Sequence, residues 1–157
     1  MTRMRAAGKL VAFDNNYRPR LWDSVADARA WYQRAFAAAT VALVTADDHQ
    51  ALHGLRDLDA AVAAAQALPV AEIAIKRGAL PTRVGLDQVW QDVPTESVPR
   101  VVDTTAAGDS FAAGYLSRRL TGVAPAEAAA FGNRLAARVI QHPGALIPRE
   151  AMQDLLG

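Results

Sequence analysis

The hydrophobic positions change their period along the chain, and each change marks an element. Leu10-Val11-Ala12-Phe13 is a short apolar run between polar neighbours, which predicts a buried strand. From Ser24 to Ala39 the apolar positions fall at helical spacing, Val25, Ala28, Tyr32 and Phe36. They follow Ser24 as a capping residue, with Asp27 at the third position after it. Val41-Ala42-Leu43-Val44 returns to a strand pattern, Asp57 to Leu68 to a helix, and Glu72-Ile73-Ala74-Ile75-Lys76 to a third strand ended by Gly78. Strand, helix, strand, helix, strand is the order of a parallel sheet with right-handed crossovers. Shorter, partly alternating runs from Thr82 to Asp92, with Pro94 and Pro99 after them, predict an antiparallel excursion. Gly108 to Leu120 and Pro125 to Gln141 read as helices, the second with proline in its first turn. No internal repeat, low-complexity tract or linker breaks the pattern, so residues 1–157 read as one α/β domain.

Composition narrows the class of function. A chain of 157 residues, 52% of them hydrophobic, can bury one core. The formal net charge is +1 and the arginines are scattered, so no nucleic-acid footprint appears, and an anionic ligand would be met by a local pocket. With no cysteine, disulfides and thiolate metal sites are excluded. Met1 to Lys9 is basic, but the apolar run after it is too short for a secretion signal, and no segment approaches a membrane span. The expectation is a cytoplasmic protein with neither membrane nor nucleic acid as partner.

The chemistry concentrates between Val102 and Tyr115. Small residues stand where a loop must bring backbone amides together, and an acidic residue stands where a helix begins. Val101-Val102 reads as a short apolar pair leading into the loop. That places the loop at the carboxyl end of a strand, where ligands collect in open α/β sheets. Free N–H groups of a first helical turn carry partial positive charge and can seat a phosphate. Asp109 can orient a hydroxyl and take its proton as the bond to phosphorus forms. The same residues also suit an ordinary helix start, with an acid in the first turn and a glycine for close packing.

Asp103-Thr104-Thr105-Ala106-Ala107-Gly108-Asp109-Ser110-Phe111-Ala112-Ala113-Gly114 resembles the second signature of the ribokinase-like (PfkB) carbohydrate kinases, Asp-Thr-x-Gly-Ala-Gly-Asp-x-Phe-x-x-Gly. Ala106 stands where most of that family has glycine, which resembles the branch that phosphorylates 2-keto-3-deoxygluconate. Phe13-Asp14-Asn15-Asn16-Tyr17-Arg18-Pro19-Arg20-Leu21-Trp22 and Ile147-Pro148-Arg149-Glu150-Ala151-Met152 point to the same branch. The resemblance implies a three-layer sandwich around a mostly parallel central sheet, and ATP-dependent phosphorylation of the sugar acid at its 6-hydroxyl. It makes Asp109 the catalytic base, also in contact with the substrate, and the amides of Ala106, Ala107 and Gly108 the anion hole. Tyr17 and Arg18 become substrate contacts, since a guanidinium can bind a carboxylate or phosphate with two parallel bonds. Asn16, Lys76, Gly78 and Asn133 become nucleotide contacts.

The resemblance also implies Mg²⁺ to neutralise the triphosphate. The family holds it near an Asn-x-x-Glu element after a strand. Here that stretch is Thr45-Ala46-Asp47-Asp48, so Asp48 is the candidate metal ligand. His49, His53 and His142 share no metal-ligand spacing; His49 and His53 lie four apart and could meet on a helix, but read as surface residues. No P-loop string occurs. Family members are roughly twice this length, and Met1 corresponds to a point near mid-chain. The chain therefore reads as a partial domain that keeps the nucleotide and phosphoryl-transfer half and lacks the first half with its lid. An unpaired sheet edge is expected, and with it either homo-oligomerisation or a need for the missing N-terminal half. Three outcomes stay open: a 2-keto-3-deoxygluconate kinase, an inactive or partner-dependent nucleotide-binding fragment, and a kinase of the same fold for another sugar or nucleoside.

Overall fold

The structure, a computed structural model, describes residues 1–156. Five strands, β1 (Ala12–Asp14), β2 (Val41–Thr45), β3 (Glu72–Arg77), β4 (Leu80–Leu86) and β5 (Val89–Val93), form a sheet in the order β1-β2-β3-β4-β5. The helices are α1 (Thr2–Ala6), α2 (Val25–Ala38), α3 (Ala46–His53), α4 (Leu58–Gln66), α5 (Ala107–Arg119), α6 (Pro125–Val139) and α7 (Gln153–Leu156). The chain divides into two compact units. One holds residues 1–77 and 83–91, the other residues 78–82 and those from Asp92 onward.

In the first unit β1, β2 and β3 are parallel, with Phe13 beside Ala42 and Leu43 beside Ala74. The alternation of side chains turns Ala42, Val44, Ile73 and Ile75 into one core with Tyr32 and Phe36 of α2, Leu52 of α3 and Val62 of α4. Phe13 lies edge-on to Tyr32 and Phe36, with ring centres 5.5 and 5.0 Å away. β1 begins two residues later than its apolar run does. The Val11 carbonyl already accepts the amides of Thr40 and Val41, whereas Leu10 is exposed. Ser24 caps α2 by accepting the Asp27 amide at 3.0 Å, as the sequence pattern predicts. At the other end of α2 the Arg5 guanidinium donates to the carbonyls of Ala37 and Ala39, a cation where the helix dipole is negative.

The excursion after β3 is two tight hairpins. Gly78-Ala79 joins β3 to β4 and Asp87-Gln88 joins β4 to β5, with φ of 47° and 67° at the latter pair, so both connections reverse the chain direction. β1 is one edge of the sheet and β5 the other.

The second unit is built on α5 against α6. Small residues let the two axes approach: a Cβ on Gly114 would lie 3.0 Å from the Gly132 Cα, and a Cβ on Gly132 only 2.8 Å from the Phe111 carbonyl oxygen. Gly132→Ala is expected to destabilise the protein by about 1–3 kcal/mol, because the obstructing atom is backbone and cannot rotate away. Urea denaturation measures this, and a variant with unchanged midpoint would mean that the helices separate freely. The expectation of a strand at Val101-Val102 is corrected here. The amides of Val102 and Asp103 both donate to the Ile140 carbonyl, at 2.8 and 3.2 Å, so this pair tops α6 instead of joining the sheet. Two apolar residues leave too little ladder to compete with a helix end that offers free carbonyls. Among the described residues no helix is long and apolar enough to cross a membrane.

Candidate functional site

The carboxyl ends of β1, β2 and β3 carry a polar cluster in the first unit. Asn15 is fully buried, and its side chain continues the β1–β2 ladder. Its Oδ1 accepts the Thr45 amide at 2.8 Å and its Nδ2 donates to the Thr45 carbonyl at 3.0 Å. Asp14, one residue earlier, uses both carboxylate oxygens: Oδ1 accepts the Asn16 amide at 3.2 Å and Oδ2 accepts the Lys76 ammonium at 2.9 Å. Lys76 lies beside Thr45 in register, so its side chain reaches past β2 to meet β1.

Arg18, in the loop after β1, is exposed. Its guanidinium donates to the Tyr17 carbonyl at 2.9 Å and sits 3.4 Å from the Asp48 carboxylate on α3. Burial pushes the Asp48 carboxyl above the ordinary range, and the Arg18 charge and the Tyr17 amide oppose that shift. The Tyr17 ring, expected to touch substrate, is instead 4% exposed and lies edge-on to Tyr32, with ring centres 5.9 Å apart. An aromatic flanked by polar residues still buries its ring wherever a core face is within reach. The carboxylate of Asp48, the candidate metal ligand, pairs with Arg18, and no group of three potential acidic or histidine ligands exists among the described residues.

In the second unit the loop before α5 is held by Asp103. Its Oδ1 accepts the Thr105 amide at 2.8 Å and its Oδ2 accepts the Gly144 amide at 2.9 Å. The Thr105 hydroxyl, the Thr105 amide and the Gly144 amide hold this carboxyl below its ordinary range. Ala106 takes a left-handed conformation, φ 59° and ψ 15°, at the position where glycine meets no Cβ penalty. That turn opens the start of α5. The Ala107 amide bonds back to the Thr104 carbonyl at 3.2 Å and the Ser110 amide closes onto Ala106 at 2.8 Å. Within the first turn this leaves the amides of Gly108 and Asp109 as free donors. The exposed Asp109 side chain stands beside them.

Asn133, expected at the nucleotide, is buried and fully engaged. It accepts the Thr82 hydroxyl at 2.8 Å and donates to the carbonyls of Pro94 and Val93. Gly78, also expected there, is an exposed turn residue with φ of 62°.

The expectation of surface histidines fails for His49. It is 1% exposed, with its Nδ1 unpartnered, edge-on to Phe36 and with its ring centre 4.5 Å from that of His53. Burial, with the neighbouring His53 adding to it, lowers its pKa to about 4. Sequence reasoning missed Asp14 and Asn15 as well. Three polar residues directly after an apolar strand were the available signal, since side chains at such a junction take over ladder bonds.

The pfkB family carbohydrate kinase model matches residues 1–152, and the chain belongs to that family. It is 46% identical over 151 residues to the 2-dehydro-3-deoxygluconokinase of Escherichia coli K12, which covers 94% of this chain and 49% of that protein. To the enzyme of the same name from Haemophilus influenzae it is 38% identical, over 94% of this chain and 48% of the relative. Among solved structures, aminoimidazole riboside kinase from Salmonella enterica, complexed with aminoimidazole riboside and an ATP analogue, superposes with a TM-score of 0.85 at 27% identity. It covers 99% of this chain and 55% of that one. The fold is therefore ribokinase-like, and the chain spans about half the length of the curated relatives it matches.

Proposed function

We propose that this chain is the phosphoryl-handling half of a kinase that moves the terminal phosphoryl group of ATP onto the 6-hydroxyl of 2-keto-3-deoxygluconate. The observation that carries the reading is the start of α5: a left-handed Ala106, two free amides after it, and an exposed Asp109 on the same turn. Positively polarised amides suit the charge on a phosphoryl group in transfer, and the carboxylate beside them suits the hydroxyl that attacks it. Asp109 accepts the hydroxyl proton as the new oxygen–phosphorus bond forms, and the bond to the departing nucleotide breaks. Ala106 and Gly108, with the Asp109 amide and less of Ala107, form the anion hole. Arg18 takes the carboxylate of the sugar acid, the charged group that neutral sugars lack. Asn16, Lys76 and Gly78 are assigned to the nucleotide, and Asn133, assigned there too by the resemblance, holds Thr82, Val93 and Pro94 together. Asp48 would be the carboxylate of this half nearest to the role of a ligand for Mg²⁺, which would neutralise charge on the nucleotide's phosphates.

The names of the relatives support the substrate, and the half-length match supports a dependence on a complementary segment that presents the sugar. Positioning supplies most of the catalysis in phosphoryl transfer, so the chain alone is expected to bind nucleotide and turn over slowly if at all. Turnover of 2-keto-3-deoxygluconate, fructose, ribose and adenosine, each with the chain alone and with the other half of a relative supplied in trans, tests both points. Preference for the sugar acid only after complementation is the expected result. Preference for a neutral sugar would overturn the substrate, and absence of nucleotide binding in calorimetry would overturn the reading of this half.

A further inference from the structure

We infer that Asp14 is a positioning residue, whose one carboxylate ties the Lys76 ammonium to the Asn16 amide and so sets the nucleotide-facing cation and the loop after β1 as a unit. This rests on the proposal that Lys76 and Asn16 face a nucleotide; no comparison assigns a part to Asp14.

The geometry leaves Asp14 little other purpose. Its two oxygens are divided between a strand two places away in the sheet and the second residue of its own loop, at 2.9 and 3.2 Å. The Lys76 side chain is only 10% exposed, so its ammonium depends on protein partners for the contacts that water would otherwise make. Two acids and two bases share this strand end. Lys76 and Arg18 both act on the Asp48 carboxylate, and Asp14 acts on it with the opposite sign. The pairing nevertheless resolves into Asp14 with Lys76 and Asp48 with Arg18. Without the Asp14 charge, Lys76 would be drawn toward Asp48 and would compete with Arg18 for it. Asp14 therefore keeps the two cations apart, one at β3 and one in the loop, where each can meet a different anionic group. The bond to Asn16 adds coupling, because a shift of Lys76 pulls on the turn that carries Asn16 and Arg18.

The test is a double-mutant cycle of Asp14→Asn and Lys76→Met in the full chain, read by calorimetry with ATP and by hydrogen exchange at the Asn16 amide. Asp14→Asn keeps the shape of the side chain and removes its charge. Each single variant is expected to weaken ATP binding by about five- to tenfold, and the double variant by no more than the worse single one. Lys76→Met is also expected to speed exchange at Asn16 without any nucleotide present. ATP affinity unchanged in Asp14→Asn, or effects that simply add in the double variant, would overturn the positioning role. If the unaltered chain binds no ATP, the nucleotide reading fails, and the exchange result still decides the role. Faster Asn16 exchange in Lys76→Met supports the tie and unchanged exchange refutes it.

Discussion

Asp109→Ala is expected to lower the rate of phosphoryl transfer to 2-keto-3-deoxygluconate by about 10²–10⁴-fold, the usual contribution of a positioned proton acceptor. The assay is steady-state ATP-dependent phosphorylation by the form of the chain that turns over the sugar acid, alone or complemented. Asp109 stands exposed on the first turn of α5 and makes no cap bond, so removing it should not disturb the fold. Nucleotide affinity should stay within about threefold, since the amides of Gly108 and Asp109 are backbone and survive the substitution. Asp109→Asn separates the base from a mere hydrogen-bond partner: the amide keeps the shape but cannot accept the proton, and its rate should fall as far. Near-native turnover in either variant would remove Asp109 from the mechanism. A large loss of ATP affinity with little loss of maximal rate would make it a binding residue.

The second large effect is on stability in acid. His49 is buried without a partner for Nδ1, and its pKa falls from an ordinary 6.5 to about 4. The unfolded chain takes up a proton at this residue as pH drops below about 6.5, and the folded chain resists until about 4. Stability from this group is therefore complete above pH 6.5 and lost progressively down to pH 4, by about 3 kcal/mol if no structure relaxes. His53 adds in the same direction, because burial and then the Arg29 charge lower its pKa too. His49→Leu fills the space beside Phe36 and leaves no buried polar atom to satisfy. Denaturant midpoints measured from pH 7.5 to pH 4 should fall steeply for the unaltered protein and more gently for His49→Leu, with the two curves close at pH 7.5. Parallel curves would mean that His49 is protonated in the fold with a partner that forms on demand.

Much of this protein is legible in its sequence because the relevant forces are local or periodic. Apolar runs and helical spacing place β2, β3, α2, α4, α5 and α6 to within a few residues, and Ser24 marks its own cap. The string from Asp103 to Gly114 carries the resemblance to the family through the order of its small residues and two acids, although its chemistry alone also suits an ordinary helix start. Elements settled by distant partners were not legible. Val102 and Asp103 join the end of α6 because the Ile140 carbonyl is there to accept their amides, and the Tyr17 ring enters the core because Tyr32 offers an edge. His49 is charged or neutral according to what surrounds it, and four residues of spacing to His53 say nothing of the Phe36 ring that closes over it. The pairing of Asp14 with Lys76, 62 positions away, follows from the order of three strands and from nothing in either residue's neighbourhood along the chain. Sequence alone determined which residues could handle a phosphate, since that depends on chemistry and local turn shape. Only tertiary structure decided which of them are free to do so, because freedom depends on what each donor, acceptor and charge already faces across the fold.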